Sequence, residues 1–224
     1  MGNTKIIALS GKGGVGKTSI SAAFVRLLME TYPQASILAI DADPAVGLST
    51  ALGIEVATTL DDIRKDIIAS VENGFPQEAI EMLGNARFRI FDTLIERPGF
   101  SFLAIGRPET AGCYCKVNAY LKEVIHLLSS GFDYVVIDSP PLGYFSDSEV
   151  LSDLSDGTLL VIRQNIVPAP ELNDAIDSLK ACKAEFLGCI LNDMQHLSRR
   201  LAYGYGYDYG YGYGSRYGYG KSKK

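Results

Sequence analysis

Apolar residues along this chain gather in short, nearly continuous runs: Ile6 to Leu9, Ser36 to Ile40, Ser101 to Ile105, Tyr134 to Ile137, Leu159 to Ile162 and Phe186 to Leu191. Such runs, rich in branched residues and mostly without polar alternation, predict strands buried on both faces. The stretches between them carry helical spacing instead. Ser19 to Met29 is amphipathic, and Lys116 to Leu128 puts Val117, Tyr120, Leu121, Val124, Leu127 and Leu128 on one face before Gly131 closes it. Pro168 to Cys182 reads as a helix with a proline-rich start. Shorter helices are expected over Ala45 to Leu52, closed by Gly53, and from the cap Thr58 or Thr59 to about Val71. Asn73-Gly74 and Pro76 break the latter, and Gln77 to Met82 reads as one more short helix ended by Gly84. Phe88 to Leu94 alternates loosely and is expected to be a strand or hairpin arm. Strand and helix alternate throughout, which predicts a parallel sheet covered by helices. Functional residues should then gather at the C-terminal ends of the strands.

The pattern stops near Arg199. From Tyr203 to Gly220 tyrosine alternates with glycine, and the chain ends in Lys221-Ser-Lys-Lys224. Eight of the 13 tyrosines lie there: Tyr203, Tyr205, Tyr207, Tyr209, Tyr211, Tyr213, Tyr217 and Tyr219. Glycine at every second position costs too much backbone entropy for a stable element. The expected division is one domain over 1–198 and a flexible tail over 199–224.

Composition narrows the class. With 224 residues, 47% hydrophobic and 21% charged, the chain can bury a full α/β core. A net charge of −5 gives no general pull toward nucleic acid or an anionic membrane. No apolar run reaches the roughly 18 residues of a membrane span, and the N-terminal residues lack the pattern of a signal peptide, so a cytoplasmic protein is expected. The four cysteines are then expected as thiols or metal ligands. Cys182 and Cys189 read as core residues, whereas Cys113-Tyr-Cys115 offers two thiolates at close spacing.

The sharpest signal lies between the first run and the first helix. Gly11 to Thr18 fits G-x-x-x-x-G-K-[ST]. Strand before and helix after make it a phosphate loop, in which backbone N–H groups and a helix N-terminus hold phosphate oxygens. Gly11, Gly13, Gly14, Val15, Gly16, Lys17, Thr18 and Ser19 form the expected nucleotide contacts. Lys17 should reach the β/γ-phosphates and the Thr18 hydroxyl should ligate Mg²⁺. Asp41 and Asp43 flank Ala42 at one strand end, and Asp138 closes another.

The second lysine, Lys12, resembles that of the deviant Walker A loop of the MinD/ParA/nitrogenase-iron-protein class. The resemblance implies a P-loop NTPase fold: α/β, with a mostly parallel twisted sheet and helices on both faces. It implies that Lys12 reaches across a homodimer to the partner's nucleotide. Asp41 and Asp43 would orient water or metal-bound water. Asp138 resembles the Walker B aspartate, so that Thr18, Asp43 and Asp138 would serve Mg²⁺. Asn192 matches a position that contacts adenine.

Two finer resemblances diverge. Residues 4–138 are similar to ATPases that insert nickel into carbon monoxide dehydrogenase and to related maturation ATPases. The match runs through Gly11 to Thr18, Ile40-Asp-Ala-Asp-Pro44, Ala51 to Glu55, and Gly106-Arg-Pro-Glu109 leading to Gly112-Cys-Tyr-Cys115 and Asn118. It implies that Cys113 and Cys115 bind Ni²⁺ or Zn²⁺ between two subunits and that the partner is a client metalloenzyme. Residues 132–220 look like bacterial tyrosine kinases of capsule and exopolysaccharide synthesis, through Phe132 to Gly143, Ser146-Asp147, Leu160-Val-Ile-Arg163, Leu191-Asn192 and the tyrosine tail. That resemblance implies autophosphorylation of the tail tyrosines and a membrane-embedded activator. The kinases usually carry an arginine after Asp-x-Asp, absent from Pro44 to Leu48, and usually lack Lys12. The nickel-insertion proteins usually lack Pro140-Pro141 and the tail. Metal insertion is the expectation, tyrosine autophosphorylation the alternative, and a ParA-type positioning module without a basic face ranks third.

Overall fold

The computed structural model describes residues 4–73, 77, 85–106, 123–142 and 147–194. Its strands are β1 (Lys5–Ser10), β2 (Ile37–Asp41), β3 (Ile95–Arg97), β4 (Phe100–Ala104), β5 (Tyr134–Asp138), β6 (Gly157–Arg163) and β7 (Glu185–Asn192). Its helices are α1 (Lys17–Thr31), α2 (Gly47–Leu52), α3 (Leu60–Glu72), α4 (Ala86–Asp92), α5 (123–129), α6 (Asp147–Asp153) and α7 (Ala169–Ala181). The seven strands form one sheet in the order β3-β4-β2-β5-β1-β6-β7. All neighbours are parallel except β3 and β4. The described residues through Asp193 fall in one unit. The expected boundary at 198 and the tail lie outside the described residues.

The apolar runs behave as their composition predicts. All five residues of β2 are buried, as are the last four of β5. Alternate residues feed opposite layers. Leu38, Ile40, Leu103, Val135 and Ile137 pack with Ile63 of α3, Ile90 of α4, and Val124, Ile125 and Leu128 of α5. Ile37, Ala39, Phe102 and Val136 pack with Ala22, Val25 and Leu28 of α1. Full burial of one such side chain is worth about 1.5–3 kcal/mol. A smaller cluster, Leu142, Leu160 and Leu179, seats α7.

Local signals set the helix ends. Thr59 and Asp62 form a reciprocal cap at α3: the Asp62 carboxylate accepts from the Thr59 N–H at 2.8 Å, and the Thr59 hydroxyl accepts from the Asp62 N–H at 3.3 Å. Gly53 closes α2 in the left-handed region at φ 70°.

Several expectations are corrected. Phe88 to Leu94 is mostly helical, forming most of α4 and its C-terminal turn, not a strand. The loose alternation misled because Phe88 and Phe91 are exposed, while Ile90 and Leu94, four residues apart, meet the same core layer. The short antiparallel β3 and the helix α6 were not anticipated; β3 returns through Pro98-Gly99 to pair with β4. Cys182 is half-buried and Cys189 exposed, so neither is a core residue. Cys189 alternates outward on β7, the edge strand. Of the helix expected over Gln77 to Met82 only residue 77 is described, and it is helical; 116–122 lie outside the described residues.

Candidate functional site

Parallel pairing aligns the C-terminal ends of the central strands. Leu9 and Asp41 both sit opposite Asp138 in the register of β1, β2 and β5. The loop from Gly11 to Gly16 leaves β1 at this edge and delivers Lys17 as the first residue of α1. Gly11 (φ 153°) lies so close to β6 that a Cβ there would stand 2.5 Å from the Val161 carbonyl oxygen. Gly16 (φ 92°) caps α1 with a left-handed backbone. The remaining loop residues fall where the motif requires: Gly13 and Gly14 are exposed, Val15 is buried in the α1 core layer, and Ser19 is exposed in the first turn of α1.

Lys17 is buried, and its ammonium donates to the Lys12 carbonyl at 3.2 Å. Burial lowers its pKa, and the nearby Asp138 and Asp43 carboxylates oppose that shift. Lys12 itself is half-exposed and ion-pairs with Glu171 at the start of α7. Thr18 abuts the turn after β2: a Cβ at Gly47 would meet the Thr18 methyl at 3.4 Å. In that turn the Asp43 carboxylate accepts from the Ala45 N–H at 3.0 Å, and Val46 is held at φ 48°. A β-branched residue there costs about 1–3 kcal/mol, strain of the kind that clusters at functional turns.

Two carboxylates are buried side by side in register. One oxygen of Asp41 accepts from the Leu48 N–H at 2.8 Å, and one of Asp138 accepts from the Ser21 hydroxyl at 2.9 Å. The other oxygen of each has no hydrogen-bond partner among the described residues. Unpaired buried carboxylate oxygens are costly unless a cation serves them. The donor set, two carboxylates with Asp43 and the Thr18 hydroxyl nearby, is all oxygen and fits Mg²⁺. No three acidic, histidine or cysteine side chains among the described residues converge to hold a metal by themselves.

Burial, then the adjacent Asp138 charge, raises the Asp41 pKa to about 7, against the pull of the Leu48 N–H. Burial raises Asp138 as well, opposed by the Thr18 and Ser21 hydroxyls and by Lys17. A carboxyl whose pKa rises on folding stabilises the fold fully below its unfolded value of 3.8 and loses that contribution as pH climbs through about 7. The ligand-free protein is therefore expected to lose stability across that interval. Asp41→Asn keeps an acceptor for Leu48 and cannot ionise. It should flatten the decline and raise the unfolding midpoint near pH 8 by several degrees. Thermal melts across the pH range check this, and an unchanged profile in the variant would refute the buried carboxylate pair as its source.

Asn192, the residue expected at the adenine, donates its amide N–H to the Val15 carbonyl at 2.9 Å, with its own oxygen accepting from the Asp193 N–H. Sequence reasoning missed Ser21 and assigned no role to Arg163. Ser21 was findable as a hydroxyl four residues after Lys17 on the buried face of an amphipathic helix. Arg163 was findable as a cation at a strand's C-terminal end. Cys113 and Cys115 lie outside the described residues.

A phosphate loop between a central parallel strand and a helix, with acidic strand ends beside it, defines the site of a P-loop nucleoside triphosphatase. The chain belongs to the anion-transporting ATPase family, which it matches over residues 4–145. An uncharacterised ATP-binding protein of Methanocaldococcus jannaschii is 41% identical over 134 residues, 60% of this chain and 52% of the relative. The chain thus spans about half the length of that curated relative. The tyrosine-protein kinase YwqD of Bacillus subtilis is 31% identical over 88 residues, 39% of this chain and 37% of the kinase. Among solved structures, the kinase domain of the Escherichia coli tyrosine kinase ETK superposes with a TM-score of 0.64 at 19% identity, covering 94% of this chain and 72% of that one. The Pyrococcus furiosus cell division ATPase MinD gives 0.59 at 24% identity, covering 84% and 72%. These two share the fold. By its family and its phosphate loop the chain is an ATP-binding P-loop ATPase. Among the described residues no helix is long and apolar enough to cross a membrane.

In such a site the protein positions charge more than it does covalent chemistry. Loop N–H groups and Lys17 would hold the phosphates, and Thr18, Asp43 and Asp138 would hold Mg²⁺. The bound ion would supply charge neutralisation at the phosphates. Asp41, buried beside Asp138 and partly protonated near neutrality, is suited to orienting water or accepting a proton.

Proposed function

We propose that the chain is an ATP-driven switch in which nucleotide closes two copies and brings their Cys113-Tyr-Cys115 segments together around Ni²⁺ or Zn²⁺ for delivery to a client metalloenzyme. The observation that carries the reading is Lys12. It stands on the phosphate loop with a half-exposed side chain, ion-paired to Glu171 of its own chain, and closure on a second copy would exchange that partner for the other copy's nucleotide. Two thiolates from each copy would complete a four-sulfur site suited to a soft or borderline cation. The turn after Asp43 supports this use over a kinase, since Pro44 to Leu48 lacks the arginine that the kinases it resembles usually carry there.

Purified protein with ATP is expected to hold about one metal ion per two chains, and Cys113→Ser with Cys115→Ser should abolish it. Unchanged metal content in the double variant would overturn the reading.

A second reading is favoured by the tyrosine tail together with the likeness to the Bacillus kinase. It predicts phosphate on tyrosines between Tyr203 and Tyr219, in the presence of a membrane-embedded activator. Intact-mass spectra of the same ATP-treated sample separate the two: added phosphate lost in Lys17→Ala supports autophosphorylation, and its absence with stoichiometric metal supports metal insertion.

A further inference from the structure

The ends of β6 and β7 close against the phosphate loop from outside, and their side chains do something the loop motif does not encode. Arg163, the last residue of β6, donates from Nε and Nη2 to one Asp193 carboxylate oxygen at 3.0 and 2.7 Å, and from Nη1 to the Gly14 carbonyl at 3.3 Å. Asn192, the last residue of β7, donates to the next carbonyl, that of Val15, at 2.9 Å. The Lys17 ammonium takes the Lys12 carbonyl at 3.2 Å. Three of the loop's carbonyls are thereby tied to side chains.

A peptide unit is planar and trans, so its carbonyl and the following N–H point in opposite directions. Tying the carbonyls of Gly14 and Val15 from the β6 and β7 side therefore turns the N–H groups of Val15 and Gly16 the other way. Neither N–H group makes a hydrogen bond of normal geometry to a backbone carbonyl among the described residues. We infer that Arg163 and Asn192, oriented by Asp193, are positioning residues that fix the phosphate-binding amides before nucleotide arrives. This goes beyond the use made of ATP and is the same for metal insertion and for phosphorylation. It also gives Asn192 a task other than reading the base.

The geometry is specific to these side chains. A lysine at 163 cannot span the Gly14 carbonyl and the Asp193 carboxylate with one ammonium. The Asn192 amide lies so close to Gly16 that a Cβ there would stand 2.3 Å from its nitrogen, so brace and loop are fitted to each other. Asp193 sits in the left-handed region at φ 54°, which holds its backbone beside the strand ends while its carboxylate engages the guanidinium.

The test uses the full chain, Mg²⁺, and two titrants, ATP and inorganic tripolyphosphate, by isothermal titration. Tripolyphosphate carries no base, so it reports on the phosphate cradle alone. Arg163→Ala and Asn192→Ala are each expected to weaken both titrants to a similar degree, about tenfold for one lost anchoring hydrogen bond. Arg163→Lys should weaken both as well, and Asp193→Ala, which frees the guanidinium, should weaken them several-fold. Three results would overturn the inference. Tighter tripolyphosphate binding in Asp193→Ala would mean that Arg163 acts as bare positive charge. Full affinity in Arg163→Lys would mean the same. Loss confined to ATP in Asn192→Ala would return that residue to the adenine. The melting temperature of each ligand-free variant accompanies the titrations, and Arg163→Lys with Asp193→Ala decides the matter if the alanine at 163 fails to fold.

Discussion

Lys17→Ala is expected to lower ATP turnover by at least about a thousandfold, because it removes the one ammonium the loop delivers to the phosphates. The structure makes the demand on this residue unusual for a lysine. Its side chain is buried, where burial alone would drive it toward neutrality, and it stays poised because Asp138 and Asp43 lie close. Deleting it leaves those carboxylates less compensated, so Asp138, already raised by burial, should rise further. The variant should therefore lose triphosphate affinity as well as turnover, and should unfold more readily at alkaline pH than at acidic pH. Phosphate release at saturating ATP checks the first effect, and a pH series of melts the second. Turnover above about a tenth of the wild-type rate would refute the assignment of this loop to the reacting phosphates.

The parts of the site legible in the sequence were those whose residue type and position both had a single physical use. The glycine spacing from Gly11 to Gly16 and the aspartates ending β2 and β5 needed only the strand pattern to be placed at one edge of a sheet. Register then brought Asp41 opposite Asp138, which alternation alone could not give, because it depends on how β2 and β5 pair. What escaped were contacts made across long sequence separations. Asn192 reaches Val15 over 177 positions and Arg163 reaches Gly14 over 149. Nothing local marks such a contact, and both residues read equally well as ends of strands. The misread α4 fails for a related reason. Its period is set by which residues meet α3 and the sheet, and a segment in which Ile90 is the one buried residue among the described side chains of 88–92 carries too little pattern to announce a helix. The outward row of β7 shows the limit from the other side: Leu187, Cys189 and Leu191 look like core and are exposed because β7 ends the sheet.

Three of the four glycines in the loop motif, Gly11, Gly13 and Gly16, should respond to alanine in three different ways, and the ranking follows from what each Cβ would meet. Gly11→Ala is expected to cost the most stability, about 3–5 kcal/mol. Its methyl would stand 2.5 Å from the Val161 carbonyl oxygen, which is backbone of β6 at a residue paired with Ile190 of β7, and its φ of 153° is one that side chains disfavour. Neither obstacle can be relieved by a rotamer change. At Gly16 the obstacle is the Asn192 side chain, 2.3 Å away, and a side chain can swing aside. Gly16→Ala should then cost only the left-handed strain at φ 92°, about 1 kcal/mol. It should impair triphosphate binding more than its stability loss suggests, since displacing Asn192 releases the Val15 carbonyl. At Gly13 nothing lies within 4 Å of an added Cβ, and no positive φ opposes it, so alanine should leave ligand-free stability nearly unchanged. Urea denaturation of the ligand-free variants measures the order Gly11, Gly16, Gly13 directly. If Gly13→Ala destabilised the fold as much as Gly11→Ala, the close approach of β6 to the loop could not be what demands glycine at its first position.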